Sequence, residues 1–257
     1  QRTGQSQMLD NKMKRILLMS LSGELGGMEL RIADEARFLL GEGCEPSIAI
    51  NFSSELESWI LDVEHSGVPI FDYDPPPFFE EWRWRHLNKM RARITGTRLL
   101  KRLKPDLAHV FFAWTETGGT RLWLAHKCGI PTVLSVHNAF PPHKFGPWHK
   151  KLVMEAFQSV RGIYGISQSA LDHFLVTYGQ FVRRGTVLSV IHNYVNTDRY
   201  RPSSTLRNER RLEYGIPEGA PVVGFVGRLS DQKRPWALID VFAGLRKKLP
   251  DAYLILV

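Results

Sequence analysis

Three short segments of this chain carry residue types able to hold an anionic or hydroxyl-bearing ligand. The first is Ser20-Leu21-Ser22-Gly23-Glu24-Leu25-Gly26-Gly27-Met28-Glu29. Its glycines let another group approach the backbone closely. The spacing is not G-x-G-x-x-G, so a dinucleotide fingerprint is poorly supported, and a tight turn packing a helix onto a sheet explains the glycines as well. The second segment is Ser135-Val136-His137-Asn138, where a histidine closes an apolar run and can donate or accept a hydrogen bond. A purely structural histidine is the competing reading. The third is Gly227-Arg228-Leu229-Ser230-Asp231-Gln232-Lys233. It sets a guanidinium and an ammonium ahead of a helix, with Ser230 or Asp231 as the expected cap. Two cations beside a helix N-terminus suit a diphosphate.

All three segments fall between an apolar run and an amphipathic one, and that alternation fixes the fold class. Strands are expected at Lys14–Ser20, Pro46–Asn51, Val68–Tyr73, Leu107–Ala113, Pro131–His137, Gly162–Ser167 and Thr186–His192. Helices are expected near Met28–Leu40, Glu55–His65, Glu80–Leu103, Thr120–Lys127, Trp148–Gln158 and Gln168–Tyr178, the third weakened at Gly96. Strands joined through helices imply right-handed crossovers, hence an α/β, doubly wound parallel sheet of Rossmann-like type. Ligands of such sheets sit at the carboxyl ends of the strands, where the first two segments lie. Residues 8–195 form this domain. Residues 196–220 are polar and read as a crossing segment. Residues 221–257 give strand Pro221–Val226, helix Asp231–Lys248 and strand Ala252–Val257, the start of a second Rossmann-like domain that is incomplete as it stands.

Charge is concentrated in one place. The net charge is +8, from 34 Lys+Arg against 26 Asp+Glu. Arg83, Arg85, Lys89, Arg91, Arg93, Arg98, Lys101, Arg102 and Lys104 follow one another with no acid between them, which leaves the rest of the chain near neutrality. Trp82 and Trp84 sit at the head of this stretch, and Trp84, Leu87, Met90 and Ile94 recur at helical spacing. An apolar stripe beside cations suits an anionic membrane surface, with Trp82, Arg83, Trp84, Arg85, Lys89, Arg91 and Arg93 as the docking residues. Packing of the apolar stripe on the sheet, with a solvated basic exterior, is the alternative. No stretch is long and apolar enough to span a bilayer, and the two cysteines exclude a disulfide framework and suit a reducing compartment.

In order along the chain, the motifs resemble the GT-B glycosyltransferases, specifically the retaining family 4 enzymes. The matching residues are Gly26-Gly27-x-Glu29, Val136-His137-Asn138, Ile166-Ser167-Gln168-Ser169-Ala170, Ile191-His192-Asn193-Tyr194-Val195-Asn196 and Val226-Gly227-Arg228-Leu229-Ser230-Asp231-Gln232-Lys233. The resemblance implies transfer of a sugar from a nucleotide-sugar donor to a glycan or polyprenyl-linked acceptor, without metal or separate cofactor. It implies that Arg228 and Lys233 hold the donor diphosphate, with Gly26 and Gly27 against it. It further implies that His137 is the catalytic-site residue hydrogen-bonding the sugar, with Glu29, Asn138 and Ser167 nearby. The expected location is cytoplasmic, peripheral at the inner face of the membrane.

Two departures accompany the resemblance. Asn193-Tyr194-Val195-Asn196 stands where the family often has Asn-Gly-Val-Asp, and the family's paired glutamates would fall beyond Val257. The expectation is therefore that these 257 residues alone transfer sugar poorly or not at all. Asp72-Tyr73-Asp74 spells an Asp-x-Asp, but it runs into three prolines and is not taken as a metal site. A sugar-nucleotide epimerase of the same fold is one alternative. A basic nucleic-acid-binding module is another, although no recognised nucleic-acid motif accompanies the charge and no such partner is expected.

Overall fold

The computed structural model describes residues 14–21, 23–79, 83–112, 118–231 and 233–257. Trp82 and Ala113, given roles above, lie outside them. The chain divides into two compact units, Gln1–Asn193 and Tyr194–Val257.

The first unit is a seven-stranded sheet in the order β3-β2-β1-β4-β5-β6-β7, parallel throughout. Its elements are β1 (Arg15–Met19), α1 (Gly27–Gly41), β2 (Glu45–Ile50), α2 (Glu57–His65), β3 (Ile70–Asp72), α3 (Arg85–Leu103) and β4 (Leu107–Phe112). They continue through α4 (Gly119–Lys127), β5 (Thr132–Val136), α5 (Pro147–Ala156), β6 (Val160–Gly165), α6 (Gln168–Tyr178) and β7 (Val187–Val190). The order reverses beside β1, so β1 and β4 flank the switch point where open α/β sheets bind ligands.

Strand alternation sorts the core into two layers. Leu17, Met19, Ala108, Val110, Phe112, Leu134, Val136 and Ile163 pack against α3, α4, α5 and α6. Leu18, Ile48, Ile50 and Phe111 pack against α1 and α2. Both faces of the central strands are covered, which is why their sequences read as nearly continuous apolar runs.

The basic helix α3 departs from expectation in two ways. It continues unbroken through Gly96. A Cβ there would stand 2.7 Å from Leu124 Cδ1 and 3.0 Å from Pro75 Cβ, so the glycine lets α3 close onto α4. The side it buries carries Asn88, Ala92, Gly96, Thr97 and Leu100. The apolar stripe faces outward instead: Trp84 is 57% exposed, Met90 58% and Ile94 57%, with Leu87 also exposed. A row of small residues allows closer approach to α4 than the bulky stripe would, and closeness decides the rotation.

The second unit contains α7 (Ser204–Glu213), β8 (Val222–Phe225), α8 (Pro235–Arg246) and β9 (Tyr253–Leu256), with β8 and β9 parallel. The polar segment read as a crossing stretch contains α7. Ser203 Oγ accepts from Leu206 N at 3.2 Å to cap it, and Arg210 pairs with Glu213 one turn on. Local capping and ion pairing make a helix with no buried residue, so no apolar period announced it.

Candidate functional site

The site of the first unit is built at the carboxyl edge of β1, β4, β5 and β6. Gly26 is the N-cap of α1, in extended conformation, and its carbonyl accepts from Leu30 N at 3.2 Å. Gly27 opens the helix, and a Cβ placed on it would meet nothing within 4 Å. The fold therefore does not itself require glycine at position 27. Glu29 is buried in the first helical turn, where a carboxylate is favoured by the helix dipole.

His137 follows β5, and its backbone N donates to Phe112 O at 3.0 Å, which ties it to the end of β4. The side chain is 8% exposed. Its Nε2 lies 3.0 Å from Ser135 Oγ, and its ring faces Phe111 at a centroid distance of 5.3 Å. Burial, with smaller contributions from the positive Arg31 and from His109, pushes its pKa down to about 3. His137 is thus a neutral imidazole near neutral pH, suited to hydrogen bonding rather than to carrying charge.

Around His137 stands a cluster that sequence reasoning missed. Ser135 of β5 pairs in register with Tyr164 of β6, on the same face of the sheet. Arg31 of α1 donates from Nη2 to Tyr164 Oη at 3.3 Å and from Nη1 to Asn193 Oδ1 at 2.6 Å. Burial pushes the Tyr164 hydroxyl up to about 12, so it stays protonated. Deeper in the same layer, His109 Nδ1 lies 2.6 Å from Glu35 Oε1. The signal available in the sequence was a pair of polar residues, Arg31 and Glu35, spaced one helical turn apart on α1.

The remaining expected residues are placed as follows. Asn138 is half-buried beside His137. Ser167 caps α6, its Oγ accepting from Ala170 N at 3.1 Å, so that oxygen already serves the helix. In the second unit, Gly227 has φ +154 and donates to Val257 O at 2.9 Å. Arg228 and Lys233 are both exposed on the turn that follows. The expected side-chain cap does not form, because α8 begins four residues later than expected, at Pro235, behind Arg234 in left-handed conformation. Proline favours the first helical position, which sets that start. Ser230 contributes its carbonyl, which accepts from Lys233 N and Arg234 N. Asp72 Oδ1 accepts from Phe52 N at 3.1 Å, and no cluster of three metal-ligating side chains occurs among the described residues.

Of the residues expected to dock on a membrane, Arg83, Trp84, Arg91 and Arg93 are exposed. Arg85 and Lys89 are turned inward, stacking on Trp148 at 4.9 Å and Trp123 at 5.1 Å, so they do not belong to the outer face. No helix among the described residues is long and apolar enough to cross a membrane.

A parallel sheet with a glycine turn and a buried histidine at the carboxyl edge of its strands defines a doubly wound α/β protein. Residues 25–199 match the Glycosyltransferase Family 4 profile, and the chain belongs to that family. It is similar to a GDP-mannose-dependent alpha-mannosyltransferase of Mycobacterium tuberculosis, 28% identical over 152 residues, covering 58% of this chain and 38% of that protein. It is also similar to a D-inositol 3-phosphate glycosyltransferase of Nocardia farcinica, 25% identical, covering 96% of this chain and 58% of that protein. Among solved structures, Anabaena Alr3699/HepE in complex with UDP and glucose superposes with a TM-score of 0.65 at 21% identity, covering 95% of this chain and 60% of that one. The chain thus spans between about two fifths and three fifths of the length of these proteins.

Proposed function

We propose that the protein acts in transfer of a sugar from a nucleotide-sugar donor to a glycan or polyprenyl-linked acceptor in cell-surface polysaccharide or lipopolysaccharide synthesis, with retention of configuration and without a metal. The observation that carries the reading is the neutral, buried His137 at the carboxyl edge of a family 4 sheet, an edge that also carries the open Gly26-Gly27 turn. A neutral imidazole can hydrogen-bond a sugar hydroxyl without a charge competing for the diphosphate. Arg228 and Lys233 offer the positive charge that a departing nucleoside diphosphate needs, in place of a divalent ion. A relative named as GDP-mannose-dependent and a structure holding UDP and glucose support a nucleotide-sugar donor. Transfer is favoured over epimerisation because the family profile and both curated relatives belong to transferases.

The outer face of α3 supports a cytoplasmic protein held peripherally at the inner leaflet. Trp84, Leu87, Met90 and Ile94 reach outward among Arg83, Arg91 and Arg98, the pattern of an interfacial helix.

Saturation-transfer NMR with UDP-glucose and with GDP-mannose at millimolar concentration tests the donor site. Signal from at least one donor, unchanged by EDTA and lost in Arg228→Ala and Lys233→Ala, is expected. Absence of signal for both donors, or a requirement for a divalent cation, overturns the reading.

A further inference from the structure

A cavity of about 350 Å³ opens beside the edge strand β3, a volume within the range of small-ligand pockets. It is lined by Asp72 and Asp74, at and just beyond the end of β3, and by Arg98 and Arg102, one turn apart on α3. Tyr73, between the two carboxylates, is buried and pins the wall. Its hydroxyl donates to Gly96 O at 2.8 Å, and its carbonyl accepts from Arg121 Nη2 at 2.7 Å. Phe52 N donates to Asp72 Oδ1 at 3.1 Å, and the Arg102 guanidinium stacks on the Phe71 ring at 5.4 Å. With both walls anchored in this way, the opposite charges do not close on one another. None of the four side chains forms an ion pair among the described residues, and Asp74 and Arg98 make no side-chain hydrogen bond there either. All four are exposed, so they are open to a ligand.

An ionised carboxylate only accepts hydrogen bonds and a guanidinium only donates them, so the matching ligand must do both. A phosphate supplies acceptors alone and is repelled by Asp72 and Asp74. A metal cation is repelled by Arg98 and Arg102. A sugar hydroxyl donates and accepts, and the chain belongs to a family of sugar transferases. We propose that this cavity is a saccharide-binding site separate from the His137 site, where Asp72 and Asp74 accept from hydroxyls of one pyranose and Arg98 and Arg102 donate to its oxygens. The strand order puts β3 four strand spacings from β5, about 19 Å across the sheet, so one sugar does not occupy both places. Under the proposed function, on which this last step rests, the sugar held here is a unit of the glycan acceptor remote from the one that reacts. The cavity then selects acceptors by a residue that takes no part in the new bond.

The test needs no nucleotide sugar, so it stands or fails apart from the donor reading. Saturation-transfer NMR on the whole chain uses the methyl glycosides of glucose, galactose, mannose and N-acetylglucosamine at millimolar concentration. At least one is expected to give signal, with affinity about tenfold weaker in Asp74→Asn and in Arg98→Gln. Both side chains are exposed, so the thermal transitions should match the wild type. His137→Gln should keep the signal, which separates the two sites. Absence of signal from all four glycosides overturns the proposal, as does affinity unchanged in both cavity variants. Side-chain Nε–H spectra of the chain labelled with 15N-arginine give a second readout from Arg98. A shift on adding the bound glycoside supports the site. A shift with inorganic phosphate or glycine but with none of the glycosides overturns it. Should a variant fail to fold, the wild-type Arg98 shift still decides.

Discussion

Acidification should destabilise this protein through His137, and the size of the effect follows from its burial. The ordinary histidine value is 6.5, and in the fold it is held at about 3. The group is a base whose folded pKa is depressed. Its neutral form is therefore favoured in the native state, and protons bind preferentially to the unfolded chain. Stability from this group is complete above the unfolded value and falls as pH drops from 6.5 toward 3. Each pH unit in that window costs about 1.4 kcal/mol, so about 2.7 kcal/mol is lost by about pH 4.5. That is a large part of a typical folding free energy of about 5–15 kcal/mol. Burial also lowers His126 and His143, which act in the same direction, so the wild type alone does not isolate His137. Asp106 is held at about 2 by hydrogen bonds from Arg15, and its contribution disappears only as pH falls from 3.8 toward that value, so it does not enter a comparison that stops at about pH 4.5. Urea denaturation followed by tryptophan fluorescence at about pH 7 and about pH 4.5, for wild type and His137→Gln, gives the difference directly. The wild type should lose about 2–3 kcal/mol more than the variant. Equal losses, within about 0.5 kcal/mol, would refute a buried, neutral His137.

Two further perturbations separate fold from function. Gly165 and Gly27 should respond oppositely to alanine. A Cβ on Gly165 would stand 2.8 Å from Leu171 N and Ser167 O, both backbone atoms, so Gly165→Ala should cost about 2–3 kcal/mol in a denaturation midpoint. Gly27→Ala has open space and gains helix propensity, so it should leave stability unchanged or raise it by up to about 1 kcal/mol while weakening the nucleotide-sugar signal. On α3, Arg91→Gln should lower affinity for phosphatidylglycerol vesicles about fivefold, since each engaged cation contributes about 1 kcal/mol. Ile94→Glu should lower it further with no change in the thermal transition, because the side chain is already exposed. Flotation assays at two salt concentrations check both, and binding that ignores salt and anionic lipid removes the membrane reading.

Most of the first unit was legible because its strands and helices carry their own local signals. Helix α6 spans Gln168–Tyr178 as expected, since Ser167 both ends the preceding strand signal and supplies the cap. His137 and the glycine turn were legible for the same reason: both sit where a run of one period gives way to another. The residues around His137 were not. Arg31, Tyr164 and Ser135 come together through the register of β5 against β6 and the seating of α1, neither of which a single sequence states. Their separations in sequence, 133 residues between Arg31 and Tyr164, carry no pattern.

The basic helix shows most sharply what periodicity can and cannot decide. Its sequence holds two rows at helical spacing: Trp84, Leu87, Met90 and Ile94, and Asn88, Ala92, Gly96 and Leu100. Hydrophobicity alone nominates the first row for burial. The fold buries the second, because Gly96 admits Leu124 and Pro75 to contact distance and a row of small residues brings α3 down onto α4. Arg85 and Lys89 follow that rotation inward and stack on Trp148 and Trp123, while Arg91 and Arg98 remain outside. Close packing thus takes precedence over apolar area in setting the helix's rotation, and it leaves an apolar stripe edged with cations facing outward. That exposed stripe is the observation behind the proposed contact with an anionic surface, and the vesicle assays with Arg91→Gln and Ile94→Glu decide whether the helix meets one.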